Sequence, residues 1–317
     1  MDSIATLVAE LFDDQIFQIQ LFVCHLLALY TFILSLITGN YSQVDRLWSI
    51  IPSIYAWSYV YFEYSKNGTQ TDTFYRLTIM SILITSWSIR LTFNYWRKGG
   101  YTVGSEDYRW EHVKKFLHYP EYKIPFQIFN LTFIAAFQNW LLYAITLPMW
   151  YIQKYNRGEP FNMYDLLLTV LYIAALTYET IADEQQWNFQ TKKYKWLKTK
   201  KLEDREFSEV DFKRGFLTRG LFAYSRHPNF FAEMCQWLIV YAFTLSSQYV
   251  SLLKADYSRV LNQGLIGVTV YILLFQGSTI LTEKLSMAKY PNYRVYQKSV
   301  SRFIPSLFSS YNDQLKQ

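Results

Sequence analysis

Cysteine is scarce in this chain: only Cys24 and Cys235 occur among 317 residues, and both lie inside apolar runs far apart in sequence. This excludes a dense disulfide framework and favours two small buried thiols. The sequence also lacks the GxGxxG, Walker A, GxSxG and CxxC patterns, and it has no HExxH or ExxH pair. These absences argue against the familiar soluble nucleotide folds, hydrolases and redox thiols, and they leave little support for a metal centre.

The N-terminal segment lacks the positive charge of a cleavable signal peptide. Residues 1–14 include acids but no Lys or Arg, so the first apolar run is expected to act as the insertion signal. The chain also lacks internal repeats, low-complexity tracts and long flexible linkers. We therefore predict one membrane domain over residues 1–317.

Aromatic residues, in contrast, are abundant, with 24 Phe, 28 Tyr and 10 Trp. A mean hydropathy close to zero would suit a soluble protein, but apolar runs of about 20 residues recur, which is the length that crosses a bilayer. The net charge of +6 would suit nucleic acid, yet the positive residues lie in loops that flank the apolar runs. This pattern indicates membrane topology and a lipid bilayer as partner, without nucleic acid.

We predict an all-α integral membrane protein with seven transmembrane helices. The spans lie at about residues 16–38, 47–64, 74–89, within 124–152, 164–182, 230–253 and 264–281. With these spans, six Lys and Arg residues fall on one side of the membrane and twenty-five on the other. The positive-inside tendency then predicts a lumenal or external N-terminus and a cytosolic C-terminus.

The most distinctive stretch is a basic loop that becomes an apolar helix at Pro228. Proline suits the first position of a helix, which makes His227 the predicted cap and places Asn229 in the first turn. The free N–H groups of such a turn attract phosphate or carboxylate, and Arg219 and Arg226 add positive charge beside it. The alternative is that this turn only caps the helix.

Carboxylates follow on two predicted helix faces. Glu233 lies four residues after Asn229 inside the apolar run, where a carboxylate is costly unless it is used or paired. Glu179, Asp183 and Gln186 recur at i, i+4 and i+7 at the end of the fifth span. Such a face could bind a metal, hold ribose hydroxyls or position a base. The alternatives are a solvated helix end and a Glu233 paired with an Arg of a neighbouring helix.

Three further polar segments have two interpretations each. The Gly-rich connection over residues 96–110 could line a pocket or lie at the membrane interface with its acids and bases paired. The basic run at 192–201 suits anionic lipid or a phosphate-bearing cofactor. Residues 282–305 could cover an anionic ligand or form a basic amphipathic helix beside the membrane.

Taken together, several motifs resemble an uncharacterised membrane family related to the steroid 5-alpha-reductase C-terminal domain. They are Ala182-Asp183, the segment 220–233, Lys289-Tyr-Pro-Asn-Tyr293 and Phe303-Ile-Pro305, with 45–50 and 99–110 fitting the same family. The resemblance implies a membrane oxidoreductase that uses NADPH to reduce a carbon-carbon double bond in a small lipid or steroid-like substrate. Its cofactor-binding half would be residues 164–305.

The resemblance also implies roles for individual residues. Asp183 and Asn229 match positions that contact the cofactor, Glu233 matches the acidic position one turn further on, and the basic loop would hold the phosphates. The resulting prediction has Glu233 and Tyr224 as catalytic residues and Asp183, Arg219, Arg226, His227, Asn229, Lys289 and Tyr293 as cofactor-binding residues, with no metal. The carboxylate and Tyr that grip the substrate in steroid reductases have no match in the N-terminal half. Glu283 stands where those enzymes carry a His.

Two alternatives stay open. Isoprenylcysteine and phospholipid methyltransferases, which bind S-adenosylmethionine, carry a similar pattern of Arg226-His-Pro228, Glu283 and Tyr293-Arg-Val-Tyr296, although Thr282 and Ala232 depart from it. The chain could also be a non-catalytic lipid-binding membrane protein. By analogy with lipid enzymes, the expected location is the endoplasmic reticulum.

Overall fold

The structure, a computed structural model, describes residues 9, 11–156, 158–201, 206–248, 260–309 and 311. Within these residues it is mostly helical, and it has no strand apart from an isolated parallel bridge between Ser225 and Ser301. Residues 249–253 of the sixth predicted span and residues 1–8 of the N-terminal segment lie outside the described part of the chain.

Thirteen α-helices are named here in chain order. They are α1 Gln15–Thr38, α2 Gln43–Leu47, α3 Ile51–Asn67, α4 Asp72–Arg97, α5 Tyr108–Phe116, α6 Lys123–Phe129, α7 Gln138–Ala144, α8 Leu147–Tyr155, α9 Met163–Thr199, α10 Glu209–Arg214, α11 Pro228–Ser246, α12 Gly264–Lys289 and α13 Tyr293–Ser299. A π-helix, Asn130–Phe137, joins α6 to α7, and a 3-10 turn, Gly220–Ala223, precedes α11.

Local sequence signals explain where α1 begins and ends. The Asp14 carboxylate accepts a hydrogen bond from the Phe17 N–H (2.9 Å) and so caps the first turn. At the other end Gly39 adopts a left-handed conformation with φ of 64°, which glycine adopts without steric cost. Both signals are short-range, and the predicted first span agrees with α1 to within a residue.

Four helices within the described residues are long and apolar enough to cross a membrane. They are α1, the run Lys123–Tyr155, α9 and α12. The prediction of an all-α membrane protein is confirmed at this level. The other three predicted spans coincide with α3, α4 and most of α11, which are helical but are not among these four. The count of seven stays a prediction.

The chain forms two compact units. Unit 1 takes in Met1–Val170 and Leu238–Tyr271. Its core contains the fully buried side chains of Tyr59, Trp87 and Trp150. In this unit the Gly-rich connection packs back on α2, where Trp110 Nε1 donates to Asp45 Oδ2 (3.0 Å). Its acids and bases pair with one another, as in Arg109 with Asp107 (2.9 Å).

Unit 2 takes in Leu171–Trp237 and Ile272–Gln317. It contains the C-terminal part of α9, the N-terminal part of α11 and the C-terminal part of α12. One apolar cluster forms around Phe189, Phe212 and Phe222, and another around Phe216 and Tyr296. Every residue of the predicted site lies in unit 2.

Candidate functional site

The turn before α11 is held by backbone pairing. The helix begins at Pro228, as predicted, and the Phe231 N–H donates to the His227 carbonyl (3.0 Å). The Arg226 N–H donates to the Ser301 carbonyl (2.8 Å), and the His227 N–H to the Arg302 carbonyl (3.1 Å). Residues near the C-terminus therefore fix the shape of a turn that lies about 75 positions earlier in the chain.

Glu283 forms the centre of a buried cluster beside this turn. Its carboxylate accepts from Arg226 Nε (2.6 Å) and Nη2 (3.2 Å), from His227 Nε2 (3.0 Å) and from Gln297 Nε2 (2.8 Å). We call Glu283, Arg226, His227 and Gln297 the Glu283 cluster. Arg226 Nη1 also donates to the carbonyls of Gln297 and Val300. Each nitrogen of this guanidinium is thereby engaged within the protein, which is the arrangement of a structural ion pair.

A second set of polar groups lies where α9 and α11 face each other in unit 2. Asn229 Nδ2 donates to Asp183 Oδ1 (3.2 Å), and Gln236 Nε2 donates to Glu179 Oε2 (2.6 Å). Glu233 is buried on the same face of α11, between the two amides in sequence. We call Glu179, Asp183, Asn229, Glu233 and Gln236 the polar seam. It sets three buried carboxylates among apolar helices, where a carboxylate is costly unless it is paired or used.

One atom of the polar seam has no hydrogen-bond partner. Gln236 is fully buried, and its Oε1 makes no hydrogen bond although its Nε2 does. A buried amide oxygen without a donor costs about 1–3 kcal/mol. A ligand with an N–H or O–H group at this position would remove that cost.

The predicted anion-binding residue Arg219 lies on a different network. Its half-exposed guanidinium donates to Asp211 Oδ2 (2.7 Å) and to the Glu206 carbonyl (2.9 Å). Arg214 Nη2 binds the other oxygen of Asp211 (2.7 Å). Burial by itself raises the pKa of the Asp211 carboxyl, but hydrogen bonds from Ser208 and Arg214 outweigh it and lower that pKa below its ordinary value.

The lowered pKa of Asp211 predicts how unit 2 responds to acid. A carboxyl whose pKa is lower in the folded than in the unfolded state stabilises the fold above its ordinary pKa of about 4. That contribution is lost as the pH falls through the lowered value. We expect Asp211→Asn to melt below wild type at neutral pH, with the gap closing below about pH 4. Melting curves at several pH values measure this, and the exposed Glu209→Gln is the control. A difference in melting temperature that does not change with pH would contradict a lowered pKa of Asp211.

The remaining predicted residues are spread over unit 2. Tyr224 has an exposed side chain, and its carbonyl accepts from the Ser306 N–H (3.0 Å). Lys289 is exposed at the end of α12, with its ammonium 5.4 Å from the Tyr290 ring centre. Tyr293 is buried against Phe216, and this burial raises its pKa. The structure thus brings Asp183 into contact with Asn229, and it brings Arg226 and His227 into contact with Glu283. The binding roles of all these residues stay predictions.

Sequence reasoning missed two structural roles. It noted Glu283 only as a position in two family patterns, and it grouped Lys193 with a basic run that suits anionic lipid or a phosphate-bearing cofactor. Lys193 is instead buried, and its ammonium donates to the Gly215 carbonyl (2.8 Å). The spacing of Lys193 from the half-buried Lys192 and the exposed Lys195 gives no signal of this, because the acceptor lies 22 residues away.

The four helices that are long and apolar enough to cross a membrane indicate a helical membrane protein. A model of the family DUF1295, a family of proteins of unknown function, matches residues 31–300. The chain therefore belongs to the DUF1295 family. An uncharacterised protein of Schizosaccharomyces pombe is 39% identical over 278 residues, which cover 87% of this chain and 76% of the relative. No solved structure matches the chain.

Proposed function

We propose that this chain is a membrane oxidoreductase related to the steroid 5-alpha-reductases, which uses NADPH to reduce a carbon-carbon double bond in a lipid or steroid-like substrate. One observation carries the proposal. Asp183 and Asn229, which the resemblance assigns to the cofactor, are 46 positions apart in sequence, and their side chains are in hydrogen-bond contact. The contact brings both predicted cofactor positions to one place in unit 2.

The described residues fit such a cofactor in three respects. The orphan Gln236 Oε1 matches a ligand donor, such as the NH₂ group of a nicotinamide carboxamide. Asp183 and Asn229 offer the acceptor and donor groups that hold ribose hydroxyls. The exposed Lys289 offers positive charge for phosphates, whereas the guanidinium groups of Arg219 and Arg226 already bind Asp211 and Glu283.

The cofactor and the protein would have different roles in the reaction. NADPH, when bound, supplies a hydride. The protein would bind and orient the reactants, exclude water and provide an acid for the developing enolate. Glu233, buried on an apolar helix, and Tyr224, whose phenol is exposed, are the two candidate acids. Substituting each residue in turn would decide between them.

The proposal includes a finer topology than the four candidate spans. It has seven transmembrane helices with a lumenal N-terminus and a cytosolic C-terminus, in the endoplasmic reticulum. The distribution of Lys and Arg, six against twenty-five, supports this orientation. NADPH would then enter from the cytosol and the lipid from the bilayer.

A second candidate has its own supporting observation. Arg226, His227 and Glu283, which resemble part of the pattern of isoprenylcysteine and phospholipid methyltransferases, meet in one cluster. Tyr293 and Tyr296 pack on each other nearby in unit 2 (5.6 Å between ring centres). This favours S-adenosylmethionine-dependent methyl transfer as the alternative. A non-catalytic lipid-binding protein is the third candidate.

Ligand-dependent melting separates the three candidates. We expect NADPH, at a hundredfold excess over its dissociation constant, to stabilise the detergent-purified protein by about 2.7 kcal/mol, and NADH to do so less. Asn229→Ala should abolish this shift without lowering the melting temperature of the ligand-free protein by more than a few degrees, because Asn229 is only half-buried.

The control is Asn188→Ala, which removes another side-chain amide bonded to a carboxylate in unit 2. It should leave the NADPH shift unchanged. A shift with S-adenosylhomocysteine alone would replace the reductase with the methyltransferase, and no shift with any of the three ligands would favour the non-catalytic protein. An Asn229→Ala protein that binds NADPH like wild type would overturn the site.

A further inference from the structure

Large apolar side chains face outwards near the C-terminus. We call residues 293–309 the tail segment; it consists of α13 and the residues that follow. Ile304, Leu307 and Phe308 are 70%, 87% and 98% exposed. None of them lies in a helix long and apolar enough to cross the membrane. Their exposure is therefore not explained by a transmembrane span, and an uncovered Phe and Leu side by side are costly in water.

The same segment is positively charged. Arg294, Lys298 and Arg302 are exposed, whereas Tyr293 and Tyr296 on the other face of α13 are buried. The sequence contains no Asp or Glu between positions 284 and 312. Cationic groups next to exposed apolar side chains complement a leaflet of anionic phospholipid, which offers phosphates at the surface and acyl chains beneath.

The position of the tail segment agrees with this complementarity. It begins four residues after α12 ends at Lys289, and α12 is a candidate span. A segment so close to the end of a transmembrane helix lies within reach of the membrane surface. The backbone is also fixed in place, because the Arg226 N–H donates to Ser301 and the Ser306 N–H to Tyr224. The apolar side chains are therefore presented by a preformed surface.

We propose that the tail segment is a binding site for a bilayer leaflet containing anionic phospholipid. Ile304, Leu307 and Phe308 enter the acyl region, and the three exposed cations bind headgroup phosphates. The tail is bonded to the turn before α11, so this contact also holds one side of the candidate site. The proposal needs no cofactor, and it stands or falls apart from the reductase.

Fluorescence of the full chain in vesicles tests the proposal. An environment-sensitive fluorophore is attached to Phe308→Cys, and labelled wild type corrects for the buried Cys24 and half-buried Cys235. One vesicle set contains phosphatidylcholine alone, and in the other phosphatidylserine replaces part of it. We expect blue-shifted emission and quenching by acyl-chain nitroxides, both stronger with phosphatidylserine. Leu307→Cys repeats the measurement at a neighbouring exposed site.

Charge removal tests the electrostatic part. Each Lys or Arg near an anionic surface contributes about fivefold to partitioning. The triple variant Arg294→Gln, Lys298→Gln and Arg302→Gln should therefore lose the dependence on phosphatidylserine. Lys66→Gln, Lys98→Gln and Lys123→Gln together remove three exposed lysines elsewhere and should keep it. Emission typical of water in both vesicle sets would overturn the proposal. The proposal would also be overturned if the fluorophore became buried only after another protein was added, or if quenching were the same with and without phosphatidylserine.

Discussion

Replacing Glu283 with alanine is expected to lower the free energy of unfolding by about 3–5 kcal/mol, because it leaves the buried guanidinium of Arg226 without its counter-charge. Both side chains are nearly inaccessible, at 7% and 3% exposed. The variant also removes the acceptor for His227 and Gln297. Melting of the detergent-purified protein, followed with a thiol-reactive dye that reports exposure of the buried Cys24, should show a midpoint lower by about 10 °C.

The matched control for Glu283 is an exposed ion pair of the same unit. Glu209→Gln breaks its contact with Lys213, where both side chains are more than half exposed, and such pairs contribute about 0–1 kcal/mol. If Glu283 acts through Arg226, the double variant Arg226→Met with Glu283→Ala should lose less stability than the two single variants added together. Strictly additive losses would show that the two side chains act independently, and the Glu283 cluster would not be a unit.

The same substitution bears on the candidate site. Arg226 and His227 hold the turn that starts α11, and Asn229 lies in the first turn of that helix. Loss of Glu283 should therefore weaken any ligand that Asn229 binds, even at temperatures where the variant is folded. Asn229→Ala, in contrast, should lose the ligand with little loss of stability. This contrast separates positioning by Glu283 from direct contact by Asn229.

Local signals in the sequence predicted local structure well. The first span agrees with α1 because the apolar run has the length of a bilayer-crossing helix and is bounded by the Asp14 cap and by Gly39. The start of α11 at Pro228 follows from the fixed φ and missing N–H of proline. The i, i+4 spacing of Glu179 and Asp183 correctly placed both carboxylates on one face, and both contact α11 within unit 2.

Contacts between residues far apart in the sequence could not be predicted from such local signals. Glu283 binds Arg226 over 57 positions, and nothing in the residues around Glu283 distinguishes it from a solvated carboxylate. The local pattern predicts that Arg226 binds an anion, which stays a prediction; in the structure its guanidinium is engaged by Glu283 and two carbonyls. Gln236 went unnoticed for the same reason, since its value as a site residue depends on an oxygen that is buried and unpartnered in the folded chain.

Arg76 is the clearest case in unit 1. It lies inside α4 and is completely buried. Its guanidinium binds Asp165 through both oxygens (2.9 and 2.8 Å) and donates to the Pro160 carbonyl (2.9 Å). The partners are 89 positions apart. The pair ties the first turn of α9, a candidate span, to α4.

Arg76→Met is expected to lower the free energy of unfolding by about 3–5 kcal/mol, because a fully buried Asp165 carboxylate then has no counter-charge. Lys66→Met, which removes an exposed charge with the same substitution, should change it by no more than about 0.5 kcal/mol. Thermal melting in detergent compares the two. Equal midpoints would refute the role of the pair.

Two further variants distinguish charge from geometry at this site. Arg76→Lys keeps the charge but loses the planar fork that meets both oxygens of Asp165, so we expect an intermediate loss of stability. Adding Asp165→Asn to Arg76→Met removes the uncompensated charge and should restore part of the loss, although the carbonyls of Glu159 and Pro160 still lack their donor. If the double variant melts below Arg76→Met, the uncompensated charge is not the main cost, and the Asp165 carboxylate stabilises the fold through its other bond, from the Asn162 N–H (2.9 Å).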